Sequence, residues 1–99
     1  MIIVDMASKA ALEGFTRNWA AELGAKGTTV NAVNPGPVPS DMMNNLEKEV
    51  IEKLTEVTPV ENRVGQPEEI ARICAFLAED RSSWVSGQCI AASGGFQMY

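Results

Sequence analysis

The chain has 99 residues, 45% of them hydrophobic, with 13 acidic against 8 basic side chains and a net charge of −5, a composition that predicts one folded domain or part of one. The basic residues are scattered without a stripe or an interleaved aromatic platform, which argues against a nucleic-acid partner, and the lack of histidine removes histidine bases, Ser-His triads and most zinc sites, so no metal is expected. No apolar run reaches bilayer length and Met1-Ile2-Ile3-Val4 lacks the basic flank of a signal peptide, so a cytoplasmic protein without membrane partners is the expectation.

The first helix is expected from about Met6 to Gly24, where Leu12, Phe15, Trp19 and Leu23 recur at helical spacing and should face a sheet. Ahead of it, Ile2-Ile3-Val4 either frays or pairs as an improvised strand. A second stripe of small residues, Ala7, Ala11, Gly14 and Ala21, reads either as one side of an ordinary two-sided buried helix or as a contact between subunits. Gly24 and Gly27 punctuate the turn into a strand predicted at Thr29 to Val33 from its β-branched residues, and Pro35-Gly36-Pro37 ends that strand.

From Asp41 to Val57, the positions of Met42, Met43, Leu46, Val50, Leu54 and Val57 predict one or two helical turns and then a helix, with Glu49 and Lys53 as an ion pair one turn apart. Its methionines serve either plain packing or an adaptable apolar pocket. A second firm helix should begin at Pro67, whose fixed φ suits the first helical position, with Glu68 and Glu69 at its positive end. Ile70, Ile73, Cys74 and Leu77 supply its buried face, and after a connection from Asp80 to Ser86 a short strand runs from Gln88 to Ala92. Cys74 and Cys89 read as small buried apolar residues in a reducing compartment.

Strand, helix and strand in this order imply a right-handed parallel crossover. The fold class is therefore α/β, a partial Rossmann-like layer of three helices and two parallel strands forming a single partial domain over residues 1–99. The strand carrying Val30 and Val33 would present an unpaired edge, and open edges recruit partners, so a homodimer or higher homo-oligomer should complete the layer.

After the helix segment that runs from Asp5 through Lys9 to Leu12, four landmarks follow along the chain: residues 27–38 with Asn34-Pro35-Gly36-Pro37-Val38, residues 63–71 with Arg63, Gly65, Pro67, Glu68 and Glu69, Phe76-Leu77-Ala78-Glu79-Asp80 with Trp84-Val85-Ser86-Gly87-Gln88, and Ser93-Gly94-Gly95. In order and spacing they resemble the C-terminal half of short-chain dehydrogenase/reductases, most nearly the 3-oxoacyl-carrier-protein reductase type. The resemblance implies NAD(P)H-dependent carbonyl reduction, in which a tyrosine hydroxyl exchanges a proton with substrate and a lysine four residues later lowers its pKa. Lys9 stands at the lysine position. Asp5 stands at the tyrosine position, where a carboxylate near an ammonium stays ionised and accepts rather than donates.

By the same resemblance Pro35, Gly36, Val38 and Ser40 match positions that touch the nicotinamide end of the cofactor, and residues 41–62 match the substrate loop. The resemblance implies that the shortfall in length against the family falls at the N-terminus, so the glycine-rich phosphate-binding turn and the catalytic serine and asparagine are not expected in these residues. The expectation is a chain that is an oxidoreductase by descent, not catalytic alone, and binding neither NADP nor NAD alone. The alternative is a non-enzymatic module that associates with itself or with a full-length relative. A third reading is a piece of an active enzyme, complemented by a separately made N-terminal half.

Overall fold

The computed structural model of the chain describes residues 2–98, with side chains from Met6 onward. It divides into two compact units, one formed by Met1–Ala32 with Phe76–Ile90 and the other by Val33–Ala75 with Ala91–Tyr99.

In the first unit nothing between Val4 and Met6 interrupts a helix, and once a helix is nucleated each added residue gains a hydrogen bond. Helix α1 accordingly spans Ile2–Leu23, and Ile2-Ile3-Val4 belongs to it instead of forming an improvised strand. The helix closes through a 3-10 turn at Gly24–Lys26, and Gly27 follows with φ at 80° and its N–H on Gly24 O at 2.9 Å, a left-handed conformation that glycine adopts cheaply.

The inward stripe of α1 is not the one its large apolar residues suggest. Leu12, Phe15 and Trp19 are 53, 52 and 45% exposed, the two rings stacked at 5.4 Å. Thr16 is buried instead, and Glu13, Ala20 and Leu23 are half-buried, a helical face of its own beside the aromatic one. Thr16 tolerates this position because its hydroxyl donates to Leu12 O at 2.8 Å. The small residues Ala7, Ala11, Gly14 and Ala21 are all exposed, so α1 is not a helix buried on two sides of this chain.

Strand β1 starts later than its β-branched residues suggest: Val30 O still accepts from Gly87 N at 2.7 Å, but side chains take the other pairing groups around it. Asn31 donates to Val85 O at 3.0 Å and accepts from Gln88 N at 3.1 Å, and Ser86 Oγ accepts from Val30 N at 3.1 Å. Regular pairing then joins β1 (Ala32–Pro35) to β2 (Cys89–Ala92) in a two-stranded sheet. Ala32 N donates to Gln88 O at 2.8 Å and Gly36 N to Ala92 O at 3.0 Å; both chains advance in the same sense, so the strands are parallel. The alternation puts the nitrogens of Val33 and Pro35 on the other edge of β1, where Pro35 has no N–H to offer.

The second unit holds α2 (Asp41–Asn44), a single turn where one or two were expected before α3 (Lys48–Val57), and most of α4 (Pro67–Leu77). Among the described residues Met43 is the buried apolar side chain, 9% exposed, while Met42 is open to solvent. On α3 Lys53 pairs with Glu56 and Lys48 with Glu52, both at 3.9 Å, in place of the expected Glu49–Lys53 pair. Helix α4 begins at Pro67 as predicted, with Ile70, Ile73 and Leu77 half-buried. Cys74 is exposed, contrary to expectation, because it lies about 100° around the helix from Ile73. Cys89 is half-buried and both thiols are free. No helix among the described residues is long and apolar enough to cross a membrane.

Candidate functional site

Helix α1 carries Asp5 and Lys9 one turn apart. The Asp5 side chain lies outside the described residues, and Lys9 is exposed in the first unit. Pro35, Gly36, Val38 and Ser40 all belong to the second unit.

There the loop after β1 meets the turn after β2. Gly36 N donates to Ala92 O at 3.0 Å, Gly65 N to Pro37 O at 2.8 Å and Val60 N to Gly94 O at 2.9 Å, lacing three stretches of chain through their backbones. Position 36 requires glycine because a Cβ would lie 2.6 Å from Ser93 Cα and 2.7 Å from Ser93 Cβ. Thr58 and Ser93 are 3 and 6% exposed yet fully engaged. The Thr58 hydroxyl donates to Leu54 O at 2.7 Å, while Ser93 Oγ accepts from Gln97 N and donates to Gln97 O, each at 3.0 Å.

Arg63 grips Glu69 with a two-pronged contact, Nη1 to Oε1 at 2.7 Å and Nη2 to Oε2 at 3.1 Å, and its Nε donates to Glu61 Oε2 at 3.2 Å. Glu69 also accepts from Gln66 N at 2.9 Å, which satisfies a donor at the start of α4 in the manner of a capping box. The Arg63 hydrogen bond first, and the Gln66 N–H second, hold the Glu69 carboxyl down to about 2 from an ordinary 4.5. The same carboxylates raise the Arg63 pKa further, so the guanidinium stays charged. Both side chains are more than a third exposed, so the pair fixes geometry more than it adds stability.

Glu61 and Asn62 enter this knot in left-handed conformation, with φ of 58° and 46°. Asn62 is held there by its amide, which donates to Glu56 O at 2.9 Å and Thr58 O at 3.2 Å and so takes up carbonyls at the end of α3. Among these groups opens a cleft of about 180 Å³, whose lining includes Gly36, Val38, Thr58, Arg63, Ile70 and Ser93.

Of the residues matched to a nicotinamide contact, Gly36 and Val38 line the cleft, whereas Pro35 and Ser40 lie outside it and are exposed. The close side of Gly36 is filled by Ser93, and Ser40 Oγ caps α2 by accepting from Met43 N at 3.1 Å. The described residues place no glycine-rich turn between a strand and a helix N-terminus, the arrangement that holds a pyrophosphate. Among the described residues no group of three or more His, Cys, Asp or Glu side chains could hold a metal ion.

Sequence reasoning marked Arg63 and Glu69 as landmarks but missed their pairing, the Asn62 brace and the buried hydroxyls. The Gln66–Glu69 spacing at the head of a helix was the available signal for Glu69. Thr58 had none, and Ser93, though part of a landmark, carried no sign that its hydroxyl is buried, since such residues mostly lie at the surface.

The family model described as enoyl-(acyl carrier protein) reductase matches residues 4–97. The chain is 52% identical to a short-chain dehydrogenase/reductase of Cladobotryum sp, over 93% of its own length and 38% of that protein. It is 45% identical to a 3-oxoacyl-(acyl-carrier-protein) reductase of Pseudomonas aeruginosa, over 93% of the chain and 37% of the relative. With an acetoacetyl-CoA reductase of Cupriavidus necator the identity is 42%, over 92% of the chain and 37% of the relative. The chain thus spans less than two fifths of the length of these proteins.

Proposed function

The chain belongs to the short-chain dehydrogenase/reductase family, and on that premise we propose that it represents the C-terminal part of an NAD(P)H-dependent carbonyl reductase and does not turn over by itself. What supports this reading is that Lys9 and Asp5 lie one turn apart on α1, where by resemblance Lys9 matches the family's ammonium and Asp5 its phenol. An ionised carboxylate cannot supply the proton, and general-acid assistance is worth about a hundred- to ten-thousand-fold in rate. Support also comes from the loop matched to the nicotinamide, whose Gly36 and Ser40 are engaged with Ser93 and α2. The dinucleotide, NADP or NAD, is then not held by this chain alone. The names of the relatives point to 3-oxoacyl thioesters as the substrate class, and segment 41–62 is the matching substrate loop.

The test is NADPH oxidation in the presence of a 3-oxoacyl thioester. The unaltered chain should show no turnover, whereas Asp5→Tyr mixed with a separately made N-terminal portion of a relative should recover it. Turnover by the unaltered chain alone would overturn the reading.

A second, non-enzymatic reading is favoured by the aromatic face of α1. Leu12, Phe15 and Trp19 stay about half exposed on one stripe, and apolar patches of this kind mark partner sites. In this reading the chain forms a homodimer or higher oligomer, or binds a full-length relative, through that face. Absolute mass by light scattering at tens of micromolar distinguishes it, since a strict monomer would remove the case for self-association. We place the protein in the cytoplasm, in keeping with its two free cysteines.

A further inference from the structure

The cleft of the second unit has features that carbonyl reduction does not call upon. Its volume of about 180 Å³ compares with the roughly 150 Å³ of an engineered apolar cavity that stays dry and takes up benzene. Val38, Val60, Ile70, Ile73 and Ala91 contribute apolar wall. The polar groups beside them are already paired: Thr58 with Leu54 O, Ser93 with Gln97, and Arg63 with Glu69, Glu61 and Val64 O. Among the described residues no buried side-chain nitrogen or oxygen lacks a partner.

Those pairings decide what could enter. A charged or strongly hydrogen-bonding ligand would lose its hydration and have to compete with pairs already made. Anions meet a further obstacle, because the guanidinium at the cleft is answered by two carboxylates, Glu61 and Glu69. Nor does the space close readily by repacking, since backbone hydrogen bonds from Gly36, Val60 and Gly65 fix the three surrounding stretches of chain. We propose that this cleft is a binding site for an uncharged, apolar group the size of a single ring, about six heavy atoms.

The experiment is a methyl-detected NMR titration of the 99-residue chain with benzene, and in parallel with benzoate. Benzene should give saturable shifts confined to the methyls of Val38, Val60, Ile70 and Ile73, with benzoate at least about tenfold weaker. Ala91→Leu, which fills the cleft from β2, should abolish the benzene response while leaving the melting temperature unchanged or higher; Ile73→Phe fills the same space from α4 should the first variant not fold. Shifts that fail to saturate, that spread equally to Leu12 and Leu23 on α1, or that persist in the filled variant would overturn the proposal. So would equal binding of benzoate.

Discussion

At Gly36 the structure leaves no volume for a methyl group. An alanine Cβ would lie 2.6 Å from Ser93 Cα, 2.7 Å from Ser93 Cβ and 3.0 Å from Ser93 O, whereas carbon atoms settle at about 3.5–4.0 Å. Admitting it means parting the loop from the turn after β2 by about 1 Å, and the Gly36 N–H bond to Ala92 O, 3.0 Å long, is the one such a movement strains. Overpacking costs about 1–3 kcal/mol and a weakened backbone hydrogen bond about 1 kcal/mol. Gly36→Ala should therefore destabilise the chain by about 2–4 kcal/mol, or roughly 8–32 °C in melting temperature for a protein of this size. Gly14→Ala is the matched control: nothing lies within 4 Å of its added Cβ, so the same substitution in an exposed helix interior should stabilise by about 1 kcal/mol. Urea midpoints measured at one fixed protein concentration read both. A Gly36→Ala midpoint within about 0.5 kcal/mol of the parent would refute the close approach on which the packing of this loop rests.

Glu69→Gln removes a carboxylate whose pKa is held to about 2 from an ordinary 4.5. Because the folded value is the lower one, the stabilisation is present above the ordinary value and is lost as pH falls toward the folded one. The stability gap between parent and variant should thus be level at neutral pH and shrink as the solution is acidified below about 4.5; a gap that does not shrink would mean the pair is not made. On α1, Phe15→Lys combined with Trp19→Glu should leave helix content unchanged by circular dichroism, since both rings are already about half exposed, and, if the chain self-associates through this face as proposed, should lower the solution mass to that of one chain. An unchanged oligomer would place the interface elsewhere.

The elements legible in the sequence were those with a local cause. Pro67 at the first turn of α4, the glycine stop at Gly27 and the strand that ends at Ala92 each follow from residues within a turn of the boundary. The inner face of α1 was not legible, because apolar and small residues surround that helix. Which stripe turns inward was settled by Gly87, where a Cβ would lie 3.5 Å from that of Ala20, and by the Thr16 hydroxyl satisfying itself on Leu12 O. The start of β1 slipped for a similar reason, since Asn31 and Ser86 bind backbone groups from far along the chain. At the site, Gly36 was recognisable as a landmark, but its reason, Ser93 against its Cα, depends on two strands meeting.

By our proposal Lys9 and the loop at residues 35–38 occupy the family's lysine and nicotinamide-side positions, and among the described residues no glycine-rich turn lies between a strand and a helix N-terminus. Thermal melting with NADPH titrated to millimolar concentration tests this directly, because a ligand at a hundred times its Kd raises stability by about 2.7 kcal/mol. The melting temperature should not move. A saturable rise would show that a working dinucleotide site exists in these 99 residues, and would contradict the account.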